Sequence, residues 1–300
     1  MGRHPLHPAP SAHRGDRVMR HLLLVATATA SLMTAPVAQA ADRILSIGGS
    51  VTEIIYALGA EDKIVARDTT SSYPAEAEAL PDVGYMRALA PEGVLSVNPN
   101  LIVSEAGAGP AETLAVLKQA DITFVEVPDD FSAQGIVDKI NAVGAAIGEP
   151  DAAATLADKV EGELVAVAER VARLPDSERK RVLFVLSTRG GRIMASGTNT
   201  AADGIIALAG GVNALSEFEG YKLMTDEAVT RAQPDVILMM DRGGDHGMPD
   251  ETLLALPAIV TTPAAETGSV VRMNGLYLLG FGPRTADAAL TLARALYGEI

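Results

Sequence analysis

The sequence predicts an α/β fold: two Rossmann-like α/β lobes joined by a single long helix, with a ligand cleft between the lobes. Three observations predict it. From Arg43 onward, short apolar, β-branched runs alternate with helical patterns, the signature of a mainly parallel sheet covered by helices. One stretch, Asp151–Leu174, repeats Leu156, Val160, Leu164, Val167 and Val171 at helical spacing with no internal proline. The two halves also repeat one another. Glu92–Val103 reads EGVLSVNPNLIV and Glu227–Leu238 reads EAVTRAQPDVIL, each with Glu at a helix start, Pro seven residues later and an apolar strand beyond it.

In chain order, Arg43–Ile47 is a short strand running into Gly48-Gly49-Ser50, and Val51–Leu58 is a helix stopped by Gly59. Ile64–Ala66 is a strand, Ala75–Leu80 a short helix after Pro74, and Pro91–Val97 a helix ended by Pro99. Leu101–Ser104 is a buried strand, Ala111–Gln119 a helix, Thr123–Val127 a strand and Ala133–Ile147 a helix. The long helix stops at Pro175-Asp176-Ser177. Beyond it come strand Val182–Leu186, helix Thr200–Leu208 closed by Gly210-Gly211, strands Val236–Met239 and Val270–Met273, and a final helix Ala286–Tyr297. The expected division is a leader over 1–40, an N-terminal lobe over 41–150, the interlobe helix over 151–175 and a C-terminal lobe over 176–300.

Residues 1–40 read as a secretory leader: four arginines against Asp16, an apolar run Leu22–Met33, and Ala38-Gln39-Ala40 as the cleavage site. Met19 is an alternative start that gives a leader of ordinary length. Cleavage after Ala40 leaves 20 basic and 37 acidic residues, a net charge of −17, against −14 for the full chain. So acidic a surface argues against a nucleic-acid partner. The absence of cysteine excludes disulfides, zinc–thiolate and iron–sulfur sites, thiol catalysis and a lipidated cysteine. Export without that anchor point predicts a soluble periplasmic monomer.

No phosphate-binding, dinucleotide, serine-hydrolase or metalloprotease motif is present, so an enzyme such as a hydrolase is disfavoured. Once the leader is removed, His246 is the sole histidine, too few for a zinc or manganese cage. Ligands of α/β sheets sit beyond the carboxyl ends of the strands. The loops there hold Asp68–Pro74, Val83-Gly84-Tyr85-Met86-Arg87, Ser187-Thr188-Arg189-Gly190-Gly191 and Asp241-Arg242-Gly243-Gly244. Tyrosine with arginine is a poor cage for a bare metal ion and a workable axial site for ferric haem, because phenolate is a hard anionic donor. A free phenol titrates near 10, so iron and a neighbouring arginine must favour the anion.

From Ile44 onward the chain resembles the haem-binding periplasmic proteins of bacterial ABC haem importers. The resemblance rests on SIGGSVTEIIYALGA, VARDTTSSYP, LPDVGYMRALAPEGVLSVNPNLIVSEAGAGP, NTAADGIIALAGG and LLGFGPRTADA. It implies one haem cleft between the lobes, Tyr85 as axial ligand to the metal and Arg242 as the partner of its phenolate. Tyr73, Arg67, Arg87 and Arg189 are the further haem-binding candidates, with Arg284 as another possible propionate partner. Thr188 stands where some relatives carry histidine, which leaves a second axial ligand in doubt. Glu92 and Glu227, which equally suit helix starts, are implied to dock on arginines of the membrane permease of an ABC permease/ATPase complex. A ferric siderophore or a corrinoid is the alternative ligand.

Overall fold

In a computed structural model, the described residues are Asp42–Asp241 and Met248–Ile300. The predicted leader, and the loop containing Arg242 and His246, lie outside them. The first sheet comprises β1 (Ile44–Ile47), β2 (Ile64–Arg67), β3 (Leu101–Glu105) and β4 (Thr123–Val127), in the order β2-β1-β3-β4. All its pairings are parallel. Both β1 and β3 are buried along their whole length. Such double burial explains why they read as continuous apolar runs without polar alternation. Helices α1 (Gly49–Ala57), α2 (Pro91–Ser96), α3 (Ala111–Gln119) and α4 (Ala133–Ile147) cover this sheet.

The predicted long helix is α5, Pro150–Val171. It begins one residue earlier than expected because Pro150 occupies its first turn, where no N–H is needed. It ends three residues earlier because Pro175 disfavours helical backbone at Leu174, so the chain leaves through a tight turn.

The second sheet contains β5 (Arg181–Ser187), β6 (Met194–Ser196), β7 (Val212–Asn213), β8 (Tyr221–Leu223), β9 (Val236–Asp241) and β10 (Val270–Asn274). Its order is β10-β9-β5-β6-β8, with β7 also on β5. The β10, β9, β5 and β7 pairings are parallel, whereas β6 and β8 form an antiparallel edge. That edge was not expected: its three-residue strands are too short to show a period. The accompanying helices are α6 (Ala201–Leu208), α7 (Asp226–Ala232), α8 (Asp250–Leu254), α9 (Pro263–Thr267), α10 (Gly275–Leu279) and α11 (Thr285–Tyr297).

Period two along the strands sorts the core. Ile44, Leu101 and Val103 join a central cluster, while Leu45, Ile47 and Ile102 join an outer one with Met86, Leu89 and Val94. In the second lobe Val182, Phe184 and Leu238 join the same central cluster, and Leu183, Val185 and Ile237 a separate outer one. The inner faces of both sheets thus share one apolar mass. Val160, Leu164, Val167 and Val171 of α5 lie within it, and α5 packs along both α4 and α11.

Candidate functional site

The site begins where β1 and β2 end. Asp68, fully buried, accepts the Gly48 N–H at 2.9 Å, the Thr70 N–H at 2.9 Å and the Ser71 hydroxyl at 3.0 Å. This fixes the 68–71 turn against the start of α1. Ser46, Thr52 and Ser71 extend the anchor as a chain of hydroxyls 2.7 Å apart.

The turn in turn holds the segment bearing Tyr85. Arg67 donates to Asp82 at 2.7 Å. Asp82 also accepts the Gly84 N–H at 2.7 Å and the Thr69 hydroxyl at 3.2 Å. Backbone bonds run Arg67 N–H to Pro81, Val83 N–H to Arg67 and Thr69 N–H to Gly84. Gly84 turns the chain at φ +100°, a value that L residues with side chains rarely adopt. Beyond it the Ala88 N–H donates to the Tyr85 carbonyl, the Gly109 N–H to Met86 and the Leu89 N–H to Gly109. Met86 and Leu89 are buried on either side, while Tyr85 itself is 46% exposed. The local sequence therefore pins the backbone around Tyr85 and leaves its ring at the surface.

The other candidates divide. Arg67 is committed to this scaffold, bonding Asp82 and the carbonyls of Asp68 and Glu78. Arg87 is exposed and has no hydrogen-bond or ion-pair partner among the described residues. Tyr73, 42% exposed, lies on the guanidinium of Arg284, whose Cζ is 3.4 Å from the ring centroid. Arg284 makes a two-pronged pair with Glu53 at 2.8 and 2.9 Å. Arg189 opens the tight turn after β5; its side chain, like Arg242, lies outside what is described. Glu92 sits in the first turn of α2 and Glu227 in the first turn of α7. The Glu227 carboxyl is held below the usual carboxylate range by its own backbone N–H and the Thr225 hydroxyl.

Two features escaped the sequence. Lys139, fully buried, reaches Glu105 at 2.7 Å, Asp129 at 2.6 Å, Ser50 at 3.3 Å and the Gly280 carbonyl at 3.4 Å. Burial alone would push its ammonium down, but Glu105 and Asp129 outweigh that and hold it above the ordinary lysine value. Burial pushes the Glu105 carboxyl up. The second feature is Tyr221 on β8. Burial raises its phenol, against the opposing pull of hydrogen bonds with Thr200 and Ala202 and of the Arg87 charge. Arg87 belongs to the Tyr85 segment and is the charge from it that acts on this phenol. The sequence signal was faint: Phe218, Tyr221 and Leu223 around Gly220.

Among the described residues no group of three or more His, Cys, Asp or Glu converges as a metal cage. No described helix is long and apolar enough to cross a membrane. An open cavity of about 660 Å³ lies elsewhere, where Arg170 and Arg173 neighbour Leu296 and Tyr297. Arg170 sits in the last turn of α5, where a cation offsets the helix dipole, and Arg173 lies just beyond it.

The sequence model of the periplasmic binding protein family matches residues 44–275. The chain belongs to the periplasmic binding protein family. Among solved structures, this binding protein is similar to the periplasmic heme-binding protein BhuT in complex with two hemes. Identity is 39% and TM-score 0.80, over 85% of this chain and 97% of BhuT. It is also similar to the periplasmic heme-binding protein RhuT from Roseiflexus sp. RS-1, at 37% identity and TM-score 0.81, over 86% of this chain and 98% of RhuT. Among curated proteins, the vitamin B12-binding protein of Yersinia pestis (strain Pestoides F) is 28% identical over 89% of this chain and 90% of its own length. The uncharacterized ABC transporter substrate-binding lipoprotein YvrC of Bacillus subtilis (strain 168) is 30% identical, over 66% of this chain and 63% of YvrC. The fold is that of the family, with two lobes, and the relatives are transport proteins, not enzymes. The protein is a periplasmic substrate-binding protein of an ABC importer, a class that works with an ABC permease and ATPase.

Proposed function

We propose that the ligand of this binding protein is ferric haem, held in the groove between the lobes with iron bound by the Tyr85 phenolate. The observation that carries this reading is an exposed tyrosine on a backbone fixed from both sides. An axial ligand must meet a large flat molecule without first paying to order its own loop, and the Asp82 and Gly109 bonds have ordered it in advance. BhuT and RhuT, both named as heme-binding, support the choice of ligand. Apolar porphyrin burial supplies much of the affinity. Arg87, Arg189 and Arg242 are the cations we assign to the propionates and the phenolate, and Tyr73 lies at the groove rim. In this reading residues 41–150 and 176–300 are the two lobes, 151–175 the connecting helix, and 1–40 a leader cleaved on export. The mature monomer docks through Glu92 and Glu227 on the permease at the inner membrane.

Haemin titration of the purified protein tests the reading. A shifted Soret band with ferric–phenolate charge-transfer bands is expected, and Tyr85→Ala abolishes those bands. A wild-type spectrum unchanged by haemin, or Tyr85→Ala bands identical to wild type, overturns it. The likeness to the vitamin B12-binding protein favours a corrinoid as the second reading. Cyanocobalamin binding with no haemin binding would install it.

A further inference from the structure

The two halves of the chain touch closely at one seam. A Cβ on Gly49 of α1 would lie 2.5 Å from Leu276 Cδ1 of α10 and 2.7 Å from the Thr70 carbonyl oxygen. A Cβ on Gly282 would stand in ordinary van der Waals contact, 3.4 Å from Ser50 Cβ and 3.7 Å from Glu53 Cδ. Across this seam Arg284, at the start of α11, forms its two-pronged pair with Glu53 of α1. The Glu53 side chain is 6% exposed. One face of the guanidinium carries Tyr73, and a second ring, Tyr277, lies 5.3 Å away. The Lys139 bond to the Gly280 carbonyl crosses the same seam.

An arginine at a helix N-terminus opposes the helix dipole, so Arg284 is not there to favour α11. Its planar fork matches a carboxylate and stacks on a ring at once, which lysine cannot do. The Tyr73 end of the contact belongs to the 68–74 segment, whose Thr69 holds both Asp82 and Gly84 beside Tyr85.

We propose that Arg284 is a positioning residue of the ligand groove: by clamping Glu53 and backing Tyr73 it locks the second lobe to the first and sets the gap the ligand enters. The consequence for haem affinity rests on the haem reading above; the clamp itself does not.

The chain has no cysteine, so two introduced ones become the only labelling sites. Val116→Cys in the first lobe and Val260→Cys in the second, 48% and 51% exposed, carry spin labels for pulsed dipolar distance measurement. A narrow distance distribution is expected for the parent. Arg284→Met is expected to broaden or shift it, and Arg284→Lys to restore it in part. Glu53→Gln, nearly isosteric, is expected to act in the same direction and is decisive should Arg284→Met not fold. In the unlabelled protein the same substitutions are expected to weaken haemin binding about tenfold or more with the Soret position unchanged, because Tyr85 still ligates. Unaltered distances in folded Arg284→Met or Glu53→Gln overturn the clamp. Altered distances with unaltered haemin affinity overturn its role in positioning. If the parent takes no haemin while the distances respond, the haem reading fails and the clamp stands.

Discussion

The two rims of the proposed groove are built in opposite ways. On the first lobe, the segment around Tyr85 is bonded to β2 on one side and to the Gly109 loop on the other, over a fully parallel sheet with buried charges beneath. On the second lobe, the corresponding side of the sheet ends in an antiparallel edge whose last strand, β8, faces solvent along its length and turns only the Tyr221 hydroxyl inward, against Thr200 and Ala202. The contrast teaches where rigidity is needed. A metal–ligand bond tolerates little positional error, whereas contacts to a broad apolar face tolerate a good deal. In the proposed haem reading the pinned rim carries the metal bond and the lightly built rim meets the porphyrin face.

The largest expected effect comes from removing the charge under the pinned rim. Lys139→Met leaves the buried Glu105 and the half-buried Asp129 uncompensated, and should cost about 3–5 kcal/mol in denaturant unfolding. A loss under about 1 kcal/mol would mean that the rim does not depend on this network. The pH dependence has a definite sign. The native Lys139 value lies above its ordinary 10.5, so its stabilisation is fully present below that pH and fades as pH rises through the raised value. Melting temperature should fall in that alkaline window in the parent and lose this component in Lys139→Met.

Asp82→Ala is the next test. It frees Arg67, Thr69 and the Gly84 N–H together, and should cost about 1–3 kcal/mol. Amide exchange should quicken at residues 83–88 and stay unchanged on β8; equal quickening in both would erase the contrast between the rims. The smallest effect belongs to the second rim. Tyr221→Phe removes the hydroxyl beside Thr200 and Ala202 and should cost about 1 kcal/mol or less. In the parent, ultraviolet titration should show this tyrosine ionising later than an ordinary one, because burial raises its phenol.

What the sequence made legible follows from periodicity and punctuation. Helices Ala111–Gln119 and Ala133–Ile147 and strand Thr123–Val127 were placed to the residue, because prolines or a capping serine and glycine bracket them. The strands β6 and β8 are illegible in the sequence: three residues carry no period, Gly190 and Gly191 turn β6 back onto β5, and β8 meets β6 only after α6 and β7 intervene. Tyr85 stood out because its glycine neighbour and the VGYMR string mark it. The commitments of Arg67 and Arg284 did not. Arg67 answers to Asp82 through a bridge beside β2, and Arg284 to a glutamate 231 residues away. Lys139 gave no signal, since nothing in its neighbours' identities announces partners on β3 and after β4.

The central apolar mass, fed by the inner faces of both sheets and threaded by α5, makes the two halves thermodynamically inseparable. Calorimetry should show a single endotherm, with neither half surviving excision of the other. New cargoes can then be accommodated only by editing the loops that crown the sheets, while the body beneath them stays a fixed chassis.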